Sequence, residues 1–167
     1  MKQTISKFGM IGFFIGFLTS CRIVSGIQVP PEMRTFEKII EVPDKSKNEL
    51  YVEANSWFVK TFNSAESVIE FQDKEAGKII GKYVFSYFEG FYYYDVRQII
   101  AVDVKDNKLR IVISDPYYKT TGYAFNANSV DSSYTPLVSQ NGIYRARLEW
   151  NKLSESFKIS INKNTDW

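Results

Sequence analysis

Cys21 is the single cysteine in a chain of 167 residues, and it stands directly after Leu18-Thr19-Ser20. A thiol is the side chain that forms a thioether to a diacylglycerol, and an amine freed on the same residue accepts a further acyl chain. Each buried methylene contributes about 0.8 kcal/mol, so one acyl chain holds a protein marginally and two or more hold it stably. Spent in this way, Cys21 leaves no thiol for a disulfide, a nucleophile or a metal site. The chain also has no histidine, the commonest general base and metal ligand. Ser-His-Asp and Cys-His sites are thereby excluded, and carboxylates remain. Asp73 with Glu75 and Asp115 with Asp131 are the candidate acid–base pairs; the first falls in a tight polar turn and the second spans a long loop. Ser160-Ile161-Asn162-Lys163 has the Ser-x-x-Lys spacing of some acyl-enzymes but no companion motif. Gly77-Lys78-Ile79-Ile80-Gly81-Lys82 is not a phosphate loop, because only three residues separate its glycines and Tyr83 follows the lysine. No catalytic residue, no cofactor and no metal site is expected.

Lys2 and Lys7 precede an apolar run from Phe8 to Leu18, which is shorter than the roughly 20 residues a spanning helix needs. Charged leader, short apolar core and small residues before a boundary form the pattern of a secretory signal. With Cys21 at the boundary, residues 18–21 resemble the lipobox of bacterial lipoproteins. The resemblance implies a signal over 1–20, a lipidated tether over 21–33 and a domain over 34–163. Removing the signal takes Lys2 and Lys7 with it and leaves 19 basic against 19 acidic residues. A neutral domain has no electrostatic pull toward nucleic acid, so no nucleic-acid partner is expected. Residues 22–25 carry no acidic cluster, which by lipoprotein sorting implies an outer-membrane location facing the periplasm.

Aromatic residues are the other unusual feature. Eight of the twelve residues from Tyr83 to Tyr94 are aromatic. Alternation places Tyr83, Phe85 and Tyr87 on the core face of a strand. It does not account for Phe88, Phe91, Tyr92, Tyr93 and Tyr94 around Glu89-Gly90, so some of these rings should be exposed and mark a binding or packing surface. Tyr117, Tyr118, Tyr123, Phe125 and Tyr134 lie among Asn, Ser and Thr, a mixture suited to recognition at low ordering cost. The candidate binding residues are Tyr87, Phe88, Phe91, Tyr92, Tyr93, Tyr94, Tyr117, Tyr118 and Tyr123.

The elements that must hold these rings are readable in outline. Met33 to Val42 predicts a strand stopped by Pro43. Ser46-Lys47-Asn48-Glu49 is a capping box, followed at helical spacing by Leu50, Ala54, Trp57, Phe58 and Thr61, and predicts a helix over 46–62. Val68–Gln72 and Lys78–Phe88 flank a polar stretch, 73–77, that ends in glycine and suits a hairpin loop. A two-residue turn at Asp106-Asn107 sets Val104 opposite Leu109, Val102 opposite Ile111, Ile100 opposite Ile113 and Asp103 opposite Arg110. Residues 114–141, with Asp115-Pro116, Gly122 and Pro136, predict a long loop. Ile143, Arg147, Trp150, Leu153, Phe157 and Ile161 predict a helix over 142–162.

The order β-α-β-β-β-β-α places two helices on one face of a single curved antiparallel sheet, an α+β domain. The segments 45–51, 68–70 and 73–81, together with Trp57, resemble a bacterial family of domains of unknown function described as having a fold like the TATA-binding protein. The resemblance covers about 34 to 113, implies the same element order and carries over no catalytic residue. The expectation is a membrane-anchored, non-enzymatic envelope domain that binds a protein or a glycan. The alternatives are a carboxylate-dependent enzyme acting on an envelope polymer and a structural subunit of a larger assembly.

Overall fold

Ser46 begins helix α1 (Lys47–Thr61) with the expected capping box. The backbone N–H of Ser46 donates to Glu49 Oε2 at 2.8 Å, and that of Glu49 donates to Ser46 Oγ at 3.4 Å. The computed structural model describes residues 29–62, 68–124 and 132–162. Cys21, the leader, Phe125, Asp131 and Lys163 lie outside them. Around α1 the described elements are strands β1 (Phe36–Glu41), β2 (Val68–Asp73), β3 (Lys78–Glu89), β4 (Tyr92–Lys105), β5 (Lys108–Tyr123) and β6 (Thr135–Pro136), and helix α2 (Gln140–Asn162).

The strands form one antiparallel sheet in the order β1-β5-β4-β3-β2, with β6 beside β1 on the same edge of β5. The two hairpin registers agree with the hydrophobic pattern. Val104 faces Leu109, Val102 faces Ile111 and Ile100 faces Ile113, while Asp103 faces Arg110. The 73–77 segment is the β2–β3 turn, and Gly77 closes it with φ of 70°. A Cβ there would lie 2.5 Å from the Val104 carbonyl oxygen. Gly77→Ala should therefore destabilise the domain by roughly 2–3 kcal/mol through left-handed strain and the clash. The measurement is a lower urea midpoint at unchanged m-value.

Three boundaries depart from the sequence reading. Pro31–Arg34 is a 3₁₀ turn, so the first strand begins at Phe36 rather than Met33; Pro31 has the fixed φ and missing N–H that suit a first helical position. The chain already joins the domain at Val29, inside the expected tether. Val29 is buried and its N–H donates to the Val138 carbonyl at 2.8 Å. The largest correction is the expected 114–141 loop, of which 114–123 is the second half of β5. Asp115 and Pro116 together face Gln98 alone, a bulge between the Arg97–Tyr117 and Ile99–Ser114 pairs. A bulge is where a strand tolerates proline and a positive φ, and Asp115 has φ of 52°.

Both helices cover one face. Leu50, Tyr51, Ala54, Trp57 and Phe58 are buried on α1. On α2 the buried row is Ile143, Ala146, Trp150, Leu153, Phe157 and Ile161. Ala146 takes the place expected for Arg147, which is exposed and reaches the Met33 carbonyl at 3.4 Å. Trp57 and Phe157 join the helices at 4.7 Å between ring centroids. Trp150 Nε1 donates to Gln98 Oε1 at 2.6 Å within the core. On the opposite face Asp103 pairs with Lys78 at 3.4 Å and Arg110 at 2.7 Å. Partial burial alone would raise the Asp103 carboxyl, but these partners outweigh it and hold it below the ordinary range.

Candidate functional site

Helix α1 is too short for the sheet it covers. Its 15 residues span about 22 Å at 1.5 Å per residue, whereas the 12 residues of β3 span about 36 Å. The helix starts at the turn end, where Lys47 N–H donates to Asp106 Oδ1 at 2.7 Å. Its last neighbour, Phe62, packs on Tyr83, midway along β3, at 5.1 Å between centroids. Beyond Tyr83 the sheet continues without that cover, and its helix-side row there is aromatic.

The rings run on from Tyr83 to Phe85 at 6.2 Å, to Tyr87 at 6.3 Å, and across to Tyr94 at 5.1 Å. Tyr94 lies 6.0 Å from Tyr118 and 6.1 Å from Tyr92, and Tyr92 lies 4.8 Å from Tyr123. Tyr87, Tyr92, Tyr94, Tyr118 and Tyr123 bound an open cleft of about 530 Å³. Glu89 and Thr120, on the same sheet face, line it too, with Ser132, Leu137, Ser139 and Asn141. Asn141 Nδ2 donates to Glu89 Oε1 across the cleft's end. Ser132 Oγ accepts from Thr120 N–H at 2.8 Å and donates to the Thr120 carbonyl at 2.9 Å. The arrangement offers ring faces beside hydroxyl, amide and carboxylate groups.

Five of the nine expected binding residues thus meet in one place. The other four do not join them. Phe88 and Tyr93 form a pair, 4.9 Å between centroids, on the face away from the helices. Phe91 lies at the turn after Gly90, whose φ of 63° suits the first position of a tight hairpin turn. Tyr117 is also on the far face, 5.9 Å from the Arg97 guanidinium, which lies 4.3 Å from the Tyr134 ring. Sequence reasoning missed Glu89, Ser132, Ser139 and Asn141. The Asn141-Gly142 boundary was their nearest signal, but α2 begins earlier because Ser139 accepts the Gly142 and Ile143 N–H groups.

Burial pushes the Tyr87 hydroxyl up to about 12, with Glu89, Tyr94 and Tyr118 reinforcing it and Arg145 opposing it. Burial likewise raises Tyr94, and it raises Tyr83 further together with the bond to Glu149. The unfolded chain releases tyrosine protons from about pH 10, before the folded Tyr87 does at about 12. Stability contributed by keeping these phenols neutral is complete below pH 10 and falls across pH 10 to 12. Melting temperature should drop over that window, and Tyr87→Phe should flatten part of the drop.

The pair of Asp115 with Asp131 lies partly outside the described residues, and Asp73 is used in the β2–β3 turn. Asp73 Oδ1 accepts the Ala76 N–H at 2.8 Å and closes the turn, as expected of an acidic residue there. Among the described residues no three His, Cys, Asp or Glu side chains group as metal ligands. A larger groove of about 1160 Å³ is lined by residues of both helices, which touch through Trp57 and Phe157. Its lining includes Lys60, Lys74 and the Lys45–Glu53 pair at 2.6 Å, with Trp57 as its one aromatic residue, against five tyrosines in the other cleft.

The model of a family described as a domain of unknown function (DUF4468) with TBP-like fold matches residues 36–119. Two solved structures are similar. A TBP-like protein from Parabacteroides distasonis ATCC 8503 aligns with a TM-score of 0.54 at 14% identity, over 74% of this chain and 92% of that one. A DUF4468 family protein from Bacteroides ovatus ATCC 8483 aligns with a TM-score of 0.57 at 13% identity, over 86% of this chain and 95% of that one. At such identities the likeness is one of fold. No curated protein matches the chain. The family match includes Tyr87, Tyr92, Tyr94 and Tyr118 and stops before Tyr123, Ser132 and Asn141.

Proposed function

We propose that this chain, which belongs to the DUF4468 family of domains with a TBP-like fold, is a non-enzymatic binding protein of the cell envelope whose tyrosine cleft takes a glycan. The observation that carries the proposal is the cleft itself, lined by five tyrosine rings together with Glu89, Thr120, Ser132 and Asn141. Sugars present C–H faces that stack on phenol rings and hydroxyls that pair with such polar groups. Mostly apolar walls with a few placed polar groups are the usual build of small-ligand sites. Tyrosine keeps its shape on binding, which limits the entropy cost.

Lipidation of Cys21 would hold the domain at a membrane, and the outer membrane's periplasmic side is the location favoured by residues 22–25. Nucleic acid is not the partner in this reading. A DNA-bending relative needs a basic face, whereas the cations of the open sheet face are engaged: Lys82 with Glu70, Lys78 and Arg110 with Asp103, and Arg97 with Tyr134.

The test uses cells and polysaccharide from the producing bacterium. The protein should fractionate with membranes, and Cys21→Ala should release it. Solubilised protein should be retained on immobilised lipopolysaccharide or peptidoglycan and eluted by the soluble oligosaccharides of that polymer. Retention on neither would overturn the glycan reading, and membrane association of the Cys21→Ala protein would overturn the anchor.

A further inference from the structure

We infer that the tip of the β3–β4 hairpin seats on the lipid surface beside the anchor, with Phe88, Phe91 and Tyr93 as the contact. The inference rests on the reading of Cys21 as the lipidated residue. The tip and the polypeptide's entry share one half of the domain. Val29 is bonded to Val138, next to Leu137 of the cleft wall, and Leu137 N–H donates to the Pro116 carbonyl. Entry is therefore level with Tyr117, which pairs with Arg97 of β4.

From that level the two ends of the sheet differ in distance. Phe91 is six residues from Arg97 along β4, about 20 Å, while Asp106 is nine residues the other way, about 30 Å. Eight Cα–Cα steps lead from Cys21 to Val29, and fully stretched they reach at most about 28 Å. That reach exceeds the distance to the aromatic tip and falls short of the distance to the opposite end.

The ends also differ in chemistry. Phe88, Phe91 and Tyr93 are 46%, 59% and 48% exposed, and residues 90–93 carry no charge. The nearest charges in the hairpin are engaged, Glu89 by Asn141 and Asp95 by Ser86 at 2.7 Å. The opposite end carries Asp73-Lys74-Glu75 and Lys105-Asp106-Asn107-Lys108. Tyr93, a ring with one polar edge, suits the membrane–water interface, Phe88 and Phe91 suit its apolar side, and charged turns favour water. The acyl chains on Cys21 hold the protein at the bilayer by themselves, and the tip adds a contact that sets the domain's orientation.

The test uses the lipidated protein, purified from membranes and reconstituted in vesicles of phosphatidylethanolamine and phosphatidylglycerol. A nitroxide is attached through Tyr93→Cys in one sample and Lys74→Cys in another. Flotation with the vesicles reports the anchor, and collision with oxygen against a water-soluble nickel chelate reports depth. The expected result is a several-fold higher oxygen-to-nickel ratio at position 93 than at 74, reduced toward the value at 74 by Phe88→Ser with Phe91→Ser. Protein that floats with position 93 as accessible to nickel as position 74 overturns the tip contact and leaves the anchor standing. Shielding of position 93 from both reagents overturns it in favour of a protein contact. Protein that does not float overturns the anchor reading and this inference with it.

Discussion

Replacing Trp150 with phenylalanine will destabilise the domain by about 3 kcal/mol, combining an unfilled volume in the core with a stranded amide. Trp150 and Gln98 are both wholly buried, and the indole N–H donates to Gln98 Oε1 at 2.6 Å. Gln98 Nε2 already has no partner among the described residues. Without the indole, the amide keeps no side-chain partner among the described residues, and it lies on the central strand where water does not reach. Gln98→Leu in the Trp150→Phe background should restore more than half of the loss, because it removes the stranded group. Alone, Gln98→Leu should destabilise, since it strands the indole N–H instead. Urea unfolding of the four proteins gives the coupling directly. Additive losses would mean that the bond contributes nothing beyond its shape.

Tyr92→Ser and Tyr123→Ser will each weaken glycan binding by at least tenfold, equivalent to about 1.4 kcal/mol, and together they will abolish it. The two rings lie 4.8 Å apart at the mouth of the cleft and are 39% and 41% exposed. Removing them leaves little of the core changed, so unfolding free energy should move by no more than about 0.5 kcal/mol. Tyr92→Phe separates stacking from hydrogen bonding: it preserves the ring, and retained affinity would assign the contribution to the ring face. Phe88→Ser, on the other side of the sheet, should leave glycan affinity unchanged.

Where local rules act alone, the fold was legible. Ser46 and Glu49 cap α1 as their spacing demands, and the 73–77 and 106–107 turns set both registers. The second half of β5 was not legible, because Asp115-Pro116 carries every mark of a turn. In the sheet the same pair is a bulge, where proline's missing N–H and the positive φ at Asp115 fit without ending the strand. A second shift follows between Tyr93 and Tyr94, at Thr121. Each extra residue reverses which side chains face the helices. Tyr118, Thr120 and Tyr123 therefore share a face that simple alternation would not give them.

The candidate site was half legible for the same reason. That rings around Glu89-Gly90 would be exposed follows from their number, and Phe88, Phe91, Tyr92 and Tyr93 are exposed. Their division into a cleft on one face and a tip on the other depends on where α1 stops. A 15-residue helix over a 12-residue strand leaves Tyr87 and Tyr94 beyond its end. Asn141 and Ser132 reach the cleft only because β6 and the start of α2 return to that end of the sheet.

The most direct test of the account is a titration of protein carrying ¹³C in its tyrosine rings with oligosaccharides released from the bacterium's lipopolysaccharide and peptidoglycan, followed by NMR. The account predicts saturable shifts in the ring signals of Tyr87, Tyr92, Tyr94, Tyr118 and Tyr123, with Tyr51 and Tyr144 unmoved. Unchanged cleft signals at saturating sugar, or shifts confined to Tyr51 and Tyr144, would contradict it.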